Sequence, residues 1–159
     1  MLEEVYRKDQ EIRKDNAIPD PGIDRENQQI VVSIIEKCGF PSSEIHGNTS
    51  VQAAFLVIQH AGKTLREKYF PLIKESAEKG DLRWSTVALM EDRMLMDRGE
   101  KQKYGSQVTK NQASGKWELY PVEDPAKVNK RRAEIGLGPI EEYLSRWDIE
   151  FNHAANRPE

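Results

Sequence analysis

With a single cysteine, Cys38, the chain of 159 residues cannot form an internal disulfide and offers no thiolate pair to a metal. Its three histidines, His46, His60 and His153, do not fall at a recognisable zinc spacing. No apolar run reaches the ~18 residues of a membrane-spanning helix. Repeats and low-complexity segments are missing, as are a phosphate-cradling Walker loop, a dinucleotide-binding glycine fingerprint and a nucleophile elbow. Charge of one sign is not in large excess. The 24 basic and 27 acidic residues leave a net charge of −3, which argues against nucleic acid as a partner. The opening "MLEEVYRKDQEIRKD" is charged from its start and does not read as a signal peptide, so a cytoplasmic location is expected. Any chemistry must then come from ordinary side chains, and neither a cofactor nor a metal is expected.

What is present is helical periodicity. A first helix is expected over about Leu2–Asp15, ending before "IPDPG". A second, "RENQQIVVSIIEKCG", carries Ile30, Ile34 and Ile35 at helical spacing and stops at Gly39; Cys38 at its end is expected to be buried. "SSEIHGN" reads as a loop. Asn48 or Thr49 should cap "VQAAFLVIQHA", whose residues 53–58 are apolar without interruption, the mark of a central buried helix. "TLREKYFPLIKESAEKG" is a helix that Pro71 should kink. Ser85 or Thr86 should cap the next, which ends near Gly99.

"QKYGSQV" and "KWELYPV" then flank "TKNQASG" as a hairpin over about residues 101–121. Asp124 with Pro125 starts a helix that Gly136 ends, and "PIEEYLSRWDIEF" forms the last. The expectation is a mainly α fold, a single-domain helical bundle over residues 1–152 around a buried central helix. One small β-hairpin accompanies it, and residues 153–159 form a flexible tail.

The stretch "VALMEDRMLMDRGEKQKYGSQV" marks the candidate site. Asp92 and Arg93 stand side by side on a helix that is apolar on nearly every side, and buried charges need partners. They point about 100° apart and do not face one point directly. A structural ion-pair network is one reading. The other is that Asp92 orients His60, a general acid or base near the end of the buried helix, while Arg93 receives an anionic group through its planar fork. For His60 the plain alternative is a core histidine satisfied by a carbonyl.

Gln102, Tyr104 and Gln107 supply neutral donors and acceptors suited to a polar ligand. In a regular strand Gln102 and Tyr104 share a face, and a bulge at Gly105 would turn Gln107 to the same side. Asp9, Gln10 and Arg13 lie on the first helix, where Asp9 and Arg13 have the spacing of a solvated salt bridge. Lys130, Arg131 and Arg132 read first as a solvated face.

The segments "VYRKDQEIR", "CGFPSSEIHGN", "AAFLVIQHA", "MEDRMLM", "GEKQKYGSQ" and "PVEDPAKVNKRRAEIGLGPIEEYL" occur in this order. Over Tyr6–Leu144 the chain so resembles a bacterial family known only as a domain of unknown function, number 6624. The resemblance implies that Gln59 with His60, Asp92 with Arg93, Gln102, Tyr104 with Gly105, and Gln107 belong to a shared pattern. It opens with Asp9, Gln10 and Arg13 and closes with Arg131, Arg132, Gly136 and Leu137. Ser106 stands where threonine is usual and Phe40 where tryptophan is frequent. The resemblance implies no activity.

The functional expectation is a cofactor-free acid–base enzyme, a hydrolase or transferase. His60, Asp92 and Tyr104 would be catalytic, with Arg93, Gln102, Gln107, Gln59, Asp9, Gln10, Arg13 and Arg131 binding the substrate. That substrate would be a small anionic or polar molecule, nucleotide-like compound or peptide. The alternatives are a non-catalytic binding module for a polar ligand, and a toxin-related or interaction protein with a structural polar network.

Overall fold

Val51, Ala53, Ala54, Phe55, Val57 and Ile58 are all buried on one helix, α4 (Asn48–His60). The uninterrupted apolar run leaves this helix little polar face, so neighbours cover it on several sides. Each such side chain taken fully out of water contributes about 1.5–3 kcal/mol when it is a Val, Ile or Phe. Helices α1 (Leu2–Glu11), α2 (Pro21–Cys38), α3 (Ser43–His46) and α5 (Lys63–Glu78) pack around α4. The computed structural model describes residues 1–14 and 20–153. Its contacts group the chain into two units, Met1–Leu82 and Arg83–Glu159. The described chain is mainly α with one small hairpin, as expected.

In the first unit, α1 turns Leu2, Val5 and Asp9 inward and α2 turns Asn27, Val31 and Ile35 inward. Helix α2 begins earlier than the sequence suggests, because Asp20 caps it. Its carboxylate accepts the Gly22 N–H at 2.7 Å, and Pro21 stands in the first turn, where its missing N–H costs nothing. A segment that reads as a breaker is in part a helix start. Cys38, expected inside, is exposed, because the buried stripe ends at Ile35 and α2 stops three residues later. "SSEIHGN" contains the single turn α3 rather than only loop. Helix α4 starts after Gly47, which has a φ of 77°, and neither Asn48 nor Thr49 caps it. Helix α5 continues through Pro71 to Glu78. The proline lies on its exposed side, where a freed carbonyl meets water. The expected last residue of α1, Asp15, lies outside the described residues.

The second unit opens with α6 (Trp84–Asp97), which buries Val87, Ala88, Met90, Asp92, Met94 and Leu95. Ser85 and Thr86, the expected caps, lie inside it. The hairpin is shorter than expected: β1 (Val108–Lys110) pairs antiparallel with β2 (Trp117–Leu119), Val108 opposite Leu119. Its turn is set by Asn111, whose side-chain oxygen accepts from the N–H groups of Ala113 and Ser114 at 2.9 and 3.0 Å. A 3-10 turn, Pro125–Lys127, leads into α7 (Val128–Glu134). Helix α8 (Ile140–Leu144) ends in another, Ser145–Trp147, so the last helix is shorter than its sequence suggests. Val122, Val128, Ile140 and Leu144 form a core, with Val108, Leu119, Ile149 and Phe151 packed on it. His153, expected in a flexible tail, contacts the Pro125 carbonyl and the Glu141 carboxylate. Residues 154–159 lie outside the described residues. Among the described residues no helix is long and apolar enough to cross a membrane.

Candidate functional site

Asp9 ends the inward stripe of α1, at a position where the periodicity calls for an apolar side chain. It is 1% exposed, so its carboxylate needs partners. Arg13, one turn on, donates to Oδ1 at 2.8 Å, and Gln10 donates to Oδ2 at 3.0 Å. The second nitrogen of the Arg13 fork reaches Asp24 of α2 at 2.7 Å. The remaining partner is His60, at the end of α4, whose Nδ1 lies 3.1 Å from Asp9 Oδ1. Because a carboxylate only accepts, Nδ1 carries the proton in this contact, which leaves Nε2 as the basic nitrogen when the ring is neutral. The His60 side chain is 22% exposed, and no hydrogen bond engages Nε2 among the described residues. Burial pushes the Asp9 carboxyl up. The hydrogen bond and charge of His60, with Arg13 and Gln10, outweigh that and hold it below the ordinary aspartate value.

The second unit gathers a different set. Asp92 is 0% exposed. Its Oδ1 accepts the main-chain N–H groups of Lys103 at 2.7 Å and Tyr104 at 3.0 Å, and its Oδ2 accepts that of Ser106 at 3.0 Å. Burial is the strongest influence and raises the Asp92 pKa, against the hydrogen bonds of Ser106, Tyr104 and Lys103. The carbonyls of the same loop are held from the other side. Arg131 donates to the Lys103 oxygen at 2.8 Å, and Arg132 to the Tyr104 oxygen at 2.7 Å. Neither arginine lies on a merely solvated face, as first expected.

Gln102, 0% exposed, closes the loop upon itself. Its amide donates to the Gln107 and Tyr120 carbonyls at 3.0 and 2.6 Å and accepts the Gln107 N–H at 2.8 Å. Gly105, with a φ of 66°, fits where a Cβ would run into the Ile140 side chain. The regular strand expected across Gln102 and Tyr104 is therefore absent, and the loop replaces it because its N–H groups point at a carboxylate instead of a neighbouring strand.

The structure thus brings Asp9, Gln10, Arg13 and His60 together in one unit, with Gln59 half-buried next to His60 in sequence. It brings Asp92, Gln102, Tyr104, Gln107 and Arg131 together in the other, where Arg93 Nε donates to Gln107 Oε1 at 3.4 Å. The carboxylate that meets His60 Nδ1 is Asp9, and the hydrogen-bond partners found for Asp92 are the main-chain amides of Lys103, Tyr104 and Ser106 and the Ser106 side chain. Burial and then the Glu91 charge raise the Tyr104 phenol pKa, which favours its protonated form. Sequence reasoning missed Asp24 and passed over Tyr143, whose hydroxyl donates to the Ser106 carbonyl at 2.6 Å. Neither had a local signal, since both meet their partners through tertiary packing. Among the described residues no three His, Cys, Asp or Glu side chains group as metal ligands.

The model of a family of unknown function, DUF6624, matches residues 14–152. The chain belongs to that family. No curated protein matches the chain, and no solved structure does. The DUF6624 match covers His60, the Asp92 loop, Arg131 and Arg132, whereas Asp9, Gln10 and Arg13 precede it.

Proposed function

We propose that this DUF6624 protein is an acid–base enzyme in which His60, oriented by Asp9, hydrolyses a small polar or anionic substrate without an organic cofactor. The reading is carried by the contact of His60 Nδ1 with the buried Asp9 carboxylate, which directs Nε2 away from it. In the proposed step Nε2 takes a proton from water as the water oxygen attacks the substrate's acyl or phosphoryl centre. Asp9 stabilises the imidazolium, whose Nε2–H then protonates the departing oxygen, leaving the histidine neutral again. Arg13 and Gln10 act on Asp9 and count as positioning residues.

The Asp92 set supports a different role for itself. Its carboxylate is committed to the 103–106 loop and the Gln102 amide to main-chain groups of Gln107 and Tyr120, which favours a scaffold over direct chemistry. The catalytic role first expected for Asp92 therefore passes to Asp9 in this proposal.

The test is hydrolysis of 4-nitrophenyl acetate, 4-nitrophenyl phosphate and bis(4-nitrophenyl) phosphate by the full chain and by His60→Ala. At least one probe should be turned over, with the rate falling roughly a hundredfold in the variant, the lower range for a positioned acid–base group. Rates equal in the two folded proteins for all three probes would contradict the reading.

A further inference from the structure

The Arg132 guanidinium is buried and hydrogen-bonds to carbonyls, while the charges of Asp92 and Glu141 act on it from beyond ion-pair distance. The residue is 3% exposed, and its Nε donates to the Gly138 carbonyl at 2.6 Å while Nη1 serves Tyr104. No acidic side chain forms an ion pair with it among the described residues. Carbonyl dipoles satisfy hydrogen bonds but do not cancel a charge, and a charge held away from water favours an opposite charge beside it. The same side chain lines a cavity of about 410 Å³, within the range of small-ligand sites. Arg146 lines it too. The Arg132 and Arg146 guanidinium carbons lie 5.4 and 6.0 Å from the centre of the Tyr143 ring, so one aromatic surface carries two cations. Leu89, Leu137 and Pro139 make the apolar part of the wall.

We propose that this cavity binds a small organic oxyanion, a carboxylate or phosphate monoester on an apolar body, with Arg132 and Arg146 as its counter-charges. Arginine suits this role because its fork matches the oxygens of either group. The apolar body would lie against the leucines and the proline, out of water. Glu142 also lines the cavity and opposes excess negative charge, which favours a carboxylate over a phosphate monoester carrying nearly two charges at neutral pH. The inference uses residues of the second unit alone and does not depend on the reading of His60.

Calorimetric titration of the full chain with benzoate, phenyl phosphate and uncharged benzyl alcohol tests it, with amide chemical shifts locating the site. Benzoate, phenyl phosphate or both should bind and shift the Ser106 and Gly138 amides, while benzyl alcohol binds at least about tenfold more weakly. Which anion binds tells carboxylate from phosphate recognition. Arg146→Ala, an exposed position, should weaken binding about tenfold, the loss of one charge-assisted contact. Glu142→Gln should tighten it. Arg132→Gln should abolish binding, and it is read only if its circular dichroism matches the parent, because Arg132 also holds two carbonyls; otherwise Arg146→Ala decides. Absence of binding by both anions, or equal affinities in the parent and Arg146→Ala, would overturn the proposal.

Discussion

Nδ1 of His60 lies 3.1 Å from Oδ1 of Asp9, across a separation of 51 residues in the chain. Two helices that pack for apolar reasons, α1 and α4, thereby bring a carboxylate and an imidazole to one point. Removing that carboxylate should show in stability as well as in activity. Asp9→Ala leaves Arg13 with one carboxylate partner in place of two and His60 without its acceptor. It should cost about 3 kcal/mol, as breaking a buried ion pair does, read as a lowered urea midpoint at unchanged slope. Asp9→Asn keeps the shape and should cost less.

Asp92 should behave as a loop organiser. Asp92→Asn places an NH₂ against main-chain N–H groups whichever way the amide is turned, since both carboxylate oxygens accept from the loop. A loss of about 1–3 kcal/mol is expected. Hydrogen exchange at Lys103, Tyr104 and Ser106 should accelerate more than exchange in α4.

Gly105 should tolerate no side chain. Its φ of 66° disfavours any L-residue, and a Cβ would meet Ile140, which is itself wholly buried. Gly105→Ala should cost roughly 1–3 kcal/mol, measured by thermal or urea unfolding, whereas Gly62→Ala, with open space around the new methyl, should cost less, about 0.5–1 kcal/mol for an alanine at the N-cap of α5.

The two buried aspartates give opposite pH dependences. The Asp9 pKa is lowered in the folded chain, so its contribution is full above the unfolded value of about 4 and fades as pH falls through the folded value. The Asp92 pKa is raised, so its contribution is full below about 4 and fades as pH rises through the folded value. The deficit of Asp9→Asn relative to the parent should therefore shrink on acidification, and that of Asp92→Asn should grow. Urea titrations at several pH values check both signs.

How far these features could be read from the chain varies with their range. The six apolar residues of α4 announce a central helix without any partner being known, because period and composition are local. Gly99, Gly136 and a hairpin around "TKNQASG" are legible for the same reason. Asp9 is not: an aspartate four residues before an arginine is the common pattern of a surface pair, and only the packing of α1 on α4 turns it inward. Asp92 reads as buried, but most of its partners are main-chain groups, which no side-chain pattern encodes. Cys38 was misplaced because its apolar neighbours Ile34 and Ile35 do not reveal where the contact of α2 with the core ends.

The central claim, that Asp9 holds His60 with Nε2 as its reactive nitrogen, is tested most directly by long-range ¹H–¹⁵N NMR of the imidazole. The spectrum is taken on the full chain with the imidazole in its neutral form. The account predicts a protonated Nδ1 and a bare Nε2, with that preference lost in Asp9→Ala. A neutral ring protonated at Nε2 and bare at Nδ1 in the parent protein would contradict it, since Nδ1 would then have no proton to give the carboxylate.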